Sequence, residues 1–297
     1  VLGREGPTIQ MGGNLGRMVG DLFRIPGDKA HILMACGAGA GLSAAFNAPL
    51  AGVLFIVEEM RSQFRYNVLS VQCVFIASAA ADIVVRLLTS QAPVIDMTHI
   101  EPPHLTAMWI FLVFGGIFGL FGLLFNGALV GTLNLFSRLR GVPYRFLGIL
   151  TGGVIGVLIW VCPDCTGGGY DVIRGALKHQ IPVAALLLLF VTRFGTTIFS
   201  YASGVPGGIF APMMTLGTLF GLWFGHYAHA WLPGLIIHPS VFAVAGMGAL
   251  FAATVRAPLT GIALAVKMTG NYILILPLIL TCLGATVVTE VFGGKPI

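Results

Sequence analysis

Charge is what this chain of 297 residues has least of. Asp, Glu, Lys and Arg make up 9% of it and apolar residues 57%, whereas a soluble domain carries roughly 25% charged residues. With a mean hydropathy of +0.93, a soluble globular protein is excluded. Alternating strand patterns are also missing, which excludes a membrane β-barrel and leaves helices to satisfy the backbone in lipid. No basic run interleaved with aromatics occurs, so no nucleic-acid partner is expected. Cysteine is sparse, at five residues. Cys162 and Cys165 have the C-x-x-C spacing of a redox pair or half a metal site, but no second pair or nearby histidine accompanies them. No metal and no cofactor are expected. The chain opens on Val1 without a basic n-region or cleavage site, so no signal peptide is visible and the start is expected to lie inside a longer protein.

What is present is a series of apolar segments long enough to cross a bilayer, which takes about 20 mostly apolar residues. Candidates run over 105–136, 146–161, 183–199 and 272–291, with a further span at 66–90. Arg61, Arg65, Arg138, Arg140 and Arg145 sit near their ends, the pattern of cytoplasmic anchoring. The chain reads as an all-α integral membrane protein.

Between the spans lie three interruptions. GREGP at 3–7 sets one carboxylate, Glu5, at the mouth of an otherwise apolar helix expected over 5–24. NAPLAG at 47–52 opens a short helix that ends on the adjacent acids Glu58 and Glu59, the end where the helix dipole opposes negative charge. Position leaves two readings open: both acids pair with Arg61 and Arg65 at the lipid surface, or one faces an internal water path and carries protons. SGVPGGIFAP at 203–212 holds three glycines and two prolines, which no continuous helix accommodates. Irregular backbone at membrane depth is tolerated only where it is buried or lines a cavity. The TGGGY at 166–170 reads as a glycine turn, and Arg193 is the one charge inside its span. Gly39 to Ala44 fits G-x-G-x-x-A, but no strand precedes it, so close helix packing is the better reading than a dinucleotide site.

The chain also matches itself. Pro7, Gly12, Gly16 and Gly20 recur 205 residues on as Pro212, Gly217, Gly221 and Gly225. Gly37, Gly39 and the block APLAG at 48–52 recur 209 residues on as Gly246, Gly248 and APLTG at 257–261. Two related units are expected, one over 1–104 and one over 105–297, forming a single transmembrane domain. Spans 105–200 precede the second GGIFAP block with nothing equivalent before GREGP, so the first unit is expected to be truncated. Halves of this kind are often antiparallel, with broken helices meeting at the midplane. Glu5 and Phe210 would then converge, with free backbone amides and positive dipole ends that together suit an anion.

These residues resemble the CLC family of chloride channels and chloride/proton antiporters, in GREGP, SGVPGGIFAP, APLAGVLFIVEEM and the NY…GGKP ending, most nearly its bacterial antiporters. The resemblance implies a fold of broken and tilted helices in two inverted repeats, and secondary active exchange of chloride for protons rather than enzymatic catalysis. Glu5 matches the gating glutamate and Glu59 the internal proton glutamate. Backbone amides at Gly208, Ile209 and Phe210 would meet the central anion, and those of Arg4, Gly6 and Ala211 the outer one. A homodimer with one pore per subunit in a bacterial inner membrane is implied, with contacts near 49–75 and 258–290. The family's upstream serine block and its final anion-site tyrosine fall outside 1–297, and Lys267 replaces an acid. The alternatives are a passive chloride channel of the same fold and, remotely, a membrane oxidoreductase built on GAGLSA and CPDC.

Overall fold

A computed structural model describes residues 1–60, 67–89, 97, 100, 102–138, 142–178, 180–236 and 238–297. Among them are twelve α-helices and no strand. The first four are α1 (Glu5–Leu22), α2 (Gly27–Phe46), α3 (Pro49–Glu59) and α4 (Val68–Leu88). Then come α5 (Met108–Arg138), α6 (Val142–Val161), α7 (Tyr170–Leu177) and α8 (Val183–Ala202). The last four are α9 (Phe210–Trp231), α10 (Ser240–Val255), α11 (Pro258–Thr269) and α12 (Ile275–Val291). Helices long and apolar enough to cross a membrane cover Val68–Leu88, Leu105–Arg138, Val183–Ala202 and Tyr272–Val291. The expected segment at 146–161 is a shorter apolar helix. The arginines Arg61, Arg65 and Arg140 lie outside the described residues.

The breaks have local causes. Pro49 and Pro258 stand at the first position of α3 and α11, where a missing N–H costs nothing. Asn47 and Arg256 end α2 and α10 in the left-handed region, with φ of 53° and 61°, and so reverse the chain just before those prolines. Asn67 opens α4 by accepting from the Ser70 amide at 2.6 Å.

The repeated glycines are points of close approach. A Cβ on Gly12 would lie 2.1 Å from the Gly37 carbonyl oxygen, and one on Gly217 would lie 2.2 Å from that of Gly246. Gly39 faces Gly52 just as Gly248 faces Gly261. Small residues let helices pack backbone to backbone in lipid, where apolar surface alone gives no preference for protein neighbours. Gly39, Gly41 and Ser43 lie inside α2, with Gly41 against the Thr8 carbonyl of α1, so the G-x-G-x-x-A motif serves helix packing.

All sixteen residues of α10 are buried, the mark of a helix that is apolar on every face. Phe111 of α5 stacks on Phe242 of α10 at 4.4 Å, and Phe114 meets the same ring edge-on at 5.1 Å. Phe114 also meets Phe224 of α9 at 4.7 Å, so this aromatic core packs against α9.

Candidate functional site

The N-termini of α1 and α9 meet. Gly3 and Gly208, which are 205 residues apart, form a reciprocal antiparallel pair in which each N–H donates to the other's carbonyl at 2.7 Å. A contact between equivalent positions, made identically in both directions, is what a local two-fold axis produces. Neither helix carries a side-chain cap, and the first-turn amides of any helix lack partners within it. Two positive dipole ends therefore converge on one point.

Glu5 fills that point. The first residue of α1 is fully buried, and its carboxylate lies over the glycine pair. A Cβ on Gly3 would fall 1.8 Å from Glu5 Oε2, and one on Gly208 would fall 3.0 Å from the same atom. Both positions need glycine to admit the carboxylate. Of the amides expected to face an anion, that of Gly208 is already bonded to Gly3, so in this arrangement it joins the two units and is not a free donor. Ile209 is the N-cap of α9, and Phe210 and Ala211 are its first two residues. Gly6 packs with its Cβ direction 3.2 Å from the Gly208 Cα. Arg4 caps α1 with its backbone and sends its guanidinium to the Ala45 carbonyl at 3.3 Å.

The carboxylate's partner was not among the expected residues. Tyr170 donates its hydroxyl to Glu5 Oε1 at 2.9 Å, while Oε2 is buried without a partner. Tyr170 is the first residue of α7, reached through Gly169 at φ 94°. A Cβ at Gly169 would lie 1.9 Å from Thr215 Oγ1, so the loop seats directly on α9. Arg193, also fully buried, holds the loop from α8. It donates to the carbonyls of Asp164 (2.6 Å), Gly167 (3.5 Å) and Thr166. The lone interior cation is thus satisfied by backbone oxygens. The CPDC motif forms the Pro163–Cys165 turn of that loop. A glycine run at membrane depth followed by a polar aromatic was the available signal for Tyr170.

The paired acids separate. Glu58 is buried and reaches across to α11, accepting from the amides of Leu259 (2.9 Å) and Thr260 (2.7 Å) and from the Thr260 hydroxyl (2.7 Å). The reading that places Glu58 exposed at the lipid surface is therefore corrected, while Arg61 and Arg65 lie outside the described residues. An acid at the unfavourable end of its own helix is offset by the favourable end of another. Glu59 is half-buried, and no hydrogen bond or ion pair engages it among the described residues. Glu58 is thus bonded to α11, while Glu59 beside it has no such partner among the described residues.

A cavity of about 510 Å³ is lined by Arg4, Thr8, Asn47, Tyr170 and Arg174 among others. Chemically, the site offers an anion-attracting pair of helix ends, a carboxylate occupying them, and a polar approach.

Comparison with known proteins decides the family. The model of the voltage-gated chloride channel family matches residues 1–290. The chain belongs to the voltage-gated chloride channel (CLC) family. Among its CLC relatives, the H(+)/Cl(-) exchange transporter ClcA of Vibrio vulnificus (strain YJ016) is 52% identical over 301 residues, covering 100% of this chain and 64% of the relative. ClcA of Salmonella paratyphi B is 50% identical over the same span. The chain thus spans 64% of the length of these relatives. The X-ray structure of a slow cyanobacterial Cl-/H+ antiporter superposes with a TM-score of 0.95 at 43% identity, over 99% of this chain and 69% of that one. A eukaryotic CLC transporter shares the fold, with a TM-score of 0.77 at 21% identity.

Proposed function

We propose that this protein is a secondary active transporter, not an enzyme, that exchanges chloride for protons, with Glu5 as its gate. The observation that carries the reading is the buried Glu5 carboxylate at the meeting point of two uncapped helix N-termini. The sequence similarity to ClcA exchangers along the whole chain supports it. An ionised acid inside a membrane costs about 3 kcal/mol on an insertion scale, offset by up to ~2 kcal/mol from helix ends. A chloride ion competes for the same dipoles, so ion and carboxylate exclude each other. A nearby anion also favours the protonated acid, and protonation releases the path. Chloride movement and proton movement are coupled through that one group.

In this reading the amides of Ile209 and Phe210 receive the inner anion, and those of Arg4, Gly6 and Ala211 the outer one. Fixed dipoles hold an anion without the tight grip of a lysine, so it can leave again. Glu59 passes protons from the opposite side, supported by its having no hydrogen-bond or ion-pair partner among the described residues, beside the fully bonded Glu58. Units 1–104 and 105–297 act as inverted repeats of one domain. The protein works as a homodimer in a bacterial inner membrane, with one pore per subunit and with lipid, chloride and protons as its partners.

The test is Glu5→Gln in liposomes. Chloride-driven proton uptake is expected to vanish while chloride flux persists. Surviving proton uptake would overturn the role of Glu5, and wild-type chloride flux with no proton movement would make the protein a passive channel.

A further inference from the structure

The Glu5 carboxylate has one hydrogen-bond donor among the described residues, and it comes from neither helix N-terminus. It is the Tyr170 hydroxyl, 2.9 Å from Oε1. We propose that Tyr170 is a latch that sets how firmly Glu5 occupies the anion position, and so sets the apparent chloride affinity and the turnover. This rests on the gating role of Glu5 proposed above.

Three observations build the case. The carboxylate is fully buried, with Oε2 lacking any partner, so the tyrosine supplies all of its hydrogen bonding from protein among the described residues. In a low-dielectric site such a bond to an ionised group is stronger than in water. Tyr170 is also held rigidly. Gly169 leaves no room for a side chain against Thr215 of α9, and Arg193 ties down the preceding carbonyls. The hydroxyl is therefore fixed to the same helix whose N-terminus faces Glu5. Finally, Tyr170 lines the cavity beside Arg4, Thr8 and Arg174. It thus joins the cavity lining to the carboxylate, where an approaching anion would meet the gate.

The consequence is a competition biased toward the closed state. Chloride must displace a carboxylate that is both attracted by helix dipoles and bonded to Tyr170. Without the hydroxyl the carboxylate yields more readily, and chloride binds more tightly at the same intrinsic affinity. Tyr170 is a positioning residue here, acting on the anion through Glu5.

The experiment is calorimetric titration of chloride into the protein at its natural full length, for Tyr170→Phe with and without Glu5→Gln. The expected result is about a tenfold tighter apparent Kd for Tyr170→Phe, equivalent to about 1.4 kcal/mol. Faster exchange in liposomes and an unchanged chloride-to-proton ratio are expected with it. In the Glu5→Gln background the same substitution is expected to leave affinity unchanged, because a neutral amide, even where its oxygen still accepts from Tyr170, no longer competes with chloride for the helix dipoles. An unchanged affinity for Tyr170→Phe alone, or an equal shift in both backgrounds, would overturn the proposal. If that substitution impairs folding, Tyr170→Leu, which also removes the donor, is expected to tighten affinity in the same way, and an unchanged affinity for a folded Tyr170→Leu would also overturn the proposal. Absence of chloride binding in wild type and in Glu5→Gln alike would refute the anion-site reading, a separate outcome from failure of the latch.

Discussion

Met11 and Leu15 on α1 are 58% and 60% exposed, whereas their counterparts 205 residues on, Leu216 and Phe220 on α9, are 0% and 7% exposed. The two helices share a proline in the first turn and a glycine ladder, and each packs on the helix that follows it. They differ in what else lies against them. Helices α7 and α8 cover α9, and among the described residues of this chain, which spans 64% of the length of its ClcA relatives, none takes that place over α1. Matched motifs therefore set matched backbone contacts, while burial follows from the surrounding helices.

Charge follows a second rule. Matched positions that face backbone keep glycine in both units, but matched positions that carry chemistry diverge. Glu5 corresponds to Phe210, whose ring packs edge-on against Phe55 and Phe251 at 5.7 and 4.8 Å. Glu58 corresponds to Lys267. Glu58 caps the start of α11, but Lys267 lines a cavity of about 380 Å³ with Pro49, Leu50 and Ala51 at the uncapped start of α3. A cation faces a positive helix end there, so only one of the two reciprocal caps is made. A symmetric scaffold thus holds an asymmetric set of charges, as the proposed single gate and single proton acid require.

Substitutions can break or sharpen this comparison. The largest stability effect is expected from Glu58→Ala, which strips three hydrogen bonds from the α11 start. It should cost about 3 kcal/mol, since unsatisfied buried groups are penalised more than a bond is worth, measured as thermal unfolding in detergent. An unchanged melting temperature would show that the cap contributes nothing. Next come Gly12→Ala and Gly217→Ala, each driving a Cβ into a facing carbonyl, with an expected loss of about 1–3 kcal/mol. Gly156→Ala, with nothing within 4 Å of its Cβ, should stay within about 0.5 kcal/mol. Equal losses at all three would refute the close-approach account. A small gain is expected from Lys267→Glu, which would supply the missing reciprocal cap. It should stabilise by about 0.3–1 kcal/mol, the usual value of an acid at a helix N-terminus. A loss of stability there would mean that Lys267 has a partner the acid cannot replace.

Much of the scaffold could be read in advance because its signals are local or periodic. Apolar length marked the spans, Ala-Pro marked the starts of α3 and α11, and self-matching glycines marked which helices touch. GREGP and GGIFAP announced the convergence of two helix starts. Tyr170 was legible only as the end of a glycine turn, and Arg193 only as an isolated charge. The use of the Gly208 amide in pairing with Gly3, instead of as a free donor, had no signal at all. Position left the roles of Glu58 and Glu59 open; Arg61 and Arg65 lie outside the described residues, and what the structure shows is Glu58 buried and bonded to the start of α11.

By itself, then, the sequence determined that this is a helical membrane protein built on a repeated, glycine-laddered frame. Hydrophobic length, proline and glycine act on neighbouring residues, and the repeat is visible in the order of letters. Only the tertiary structure decided which polar groups meet. Tyr170 and Glu5 are separated by 165 positions, and Glu58 and Leu259 by 201. Such contacts arise because buried acids must find donors wherever packing brings them, and no local pattern encodes that choice.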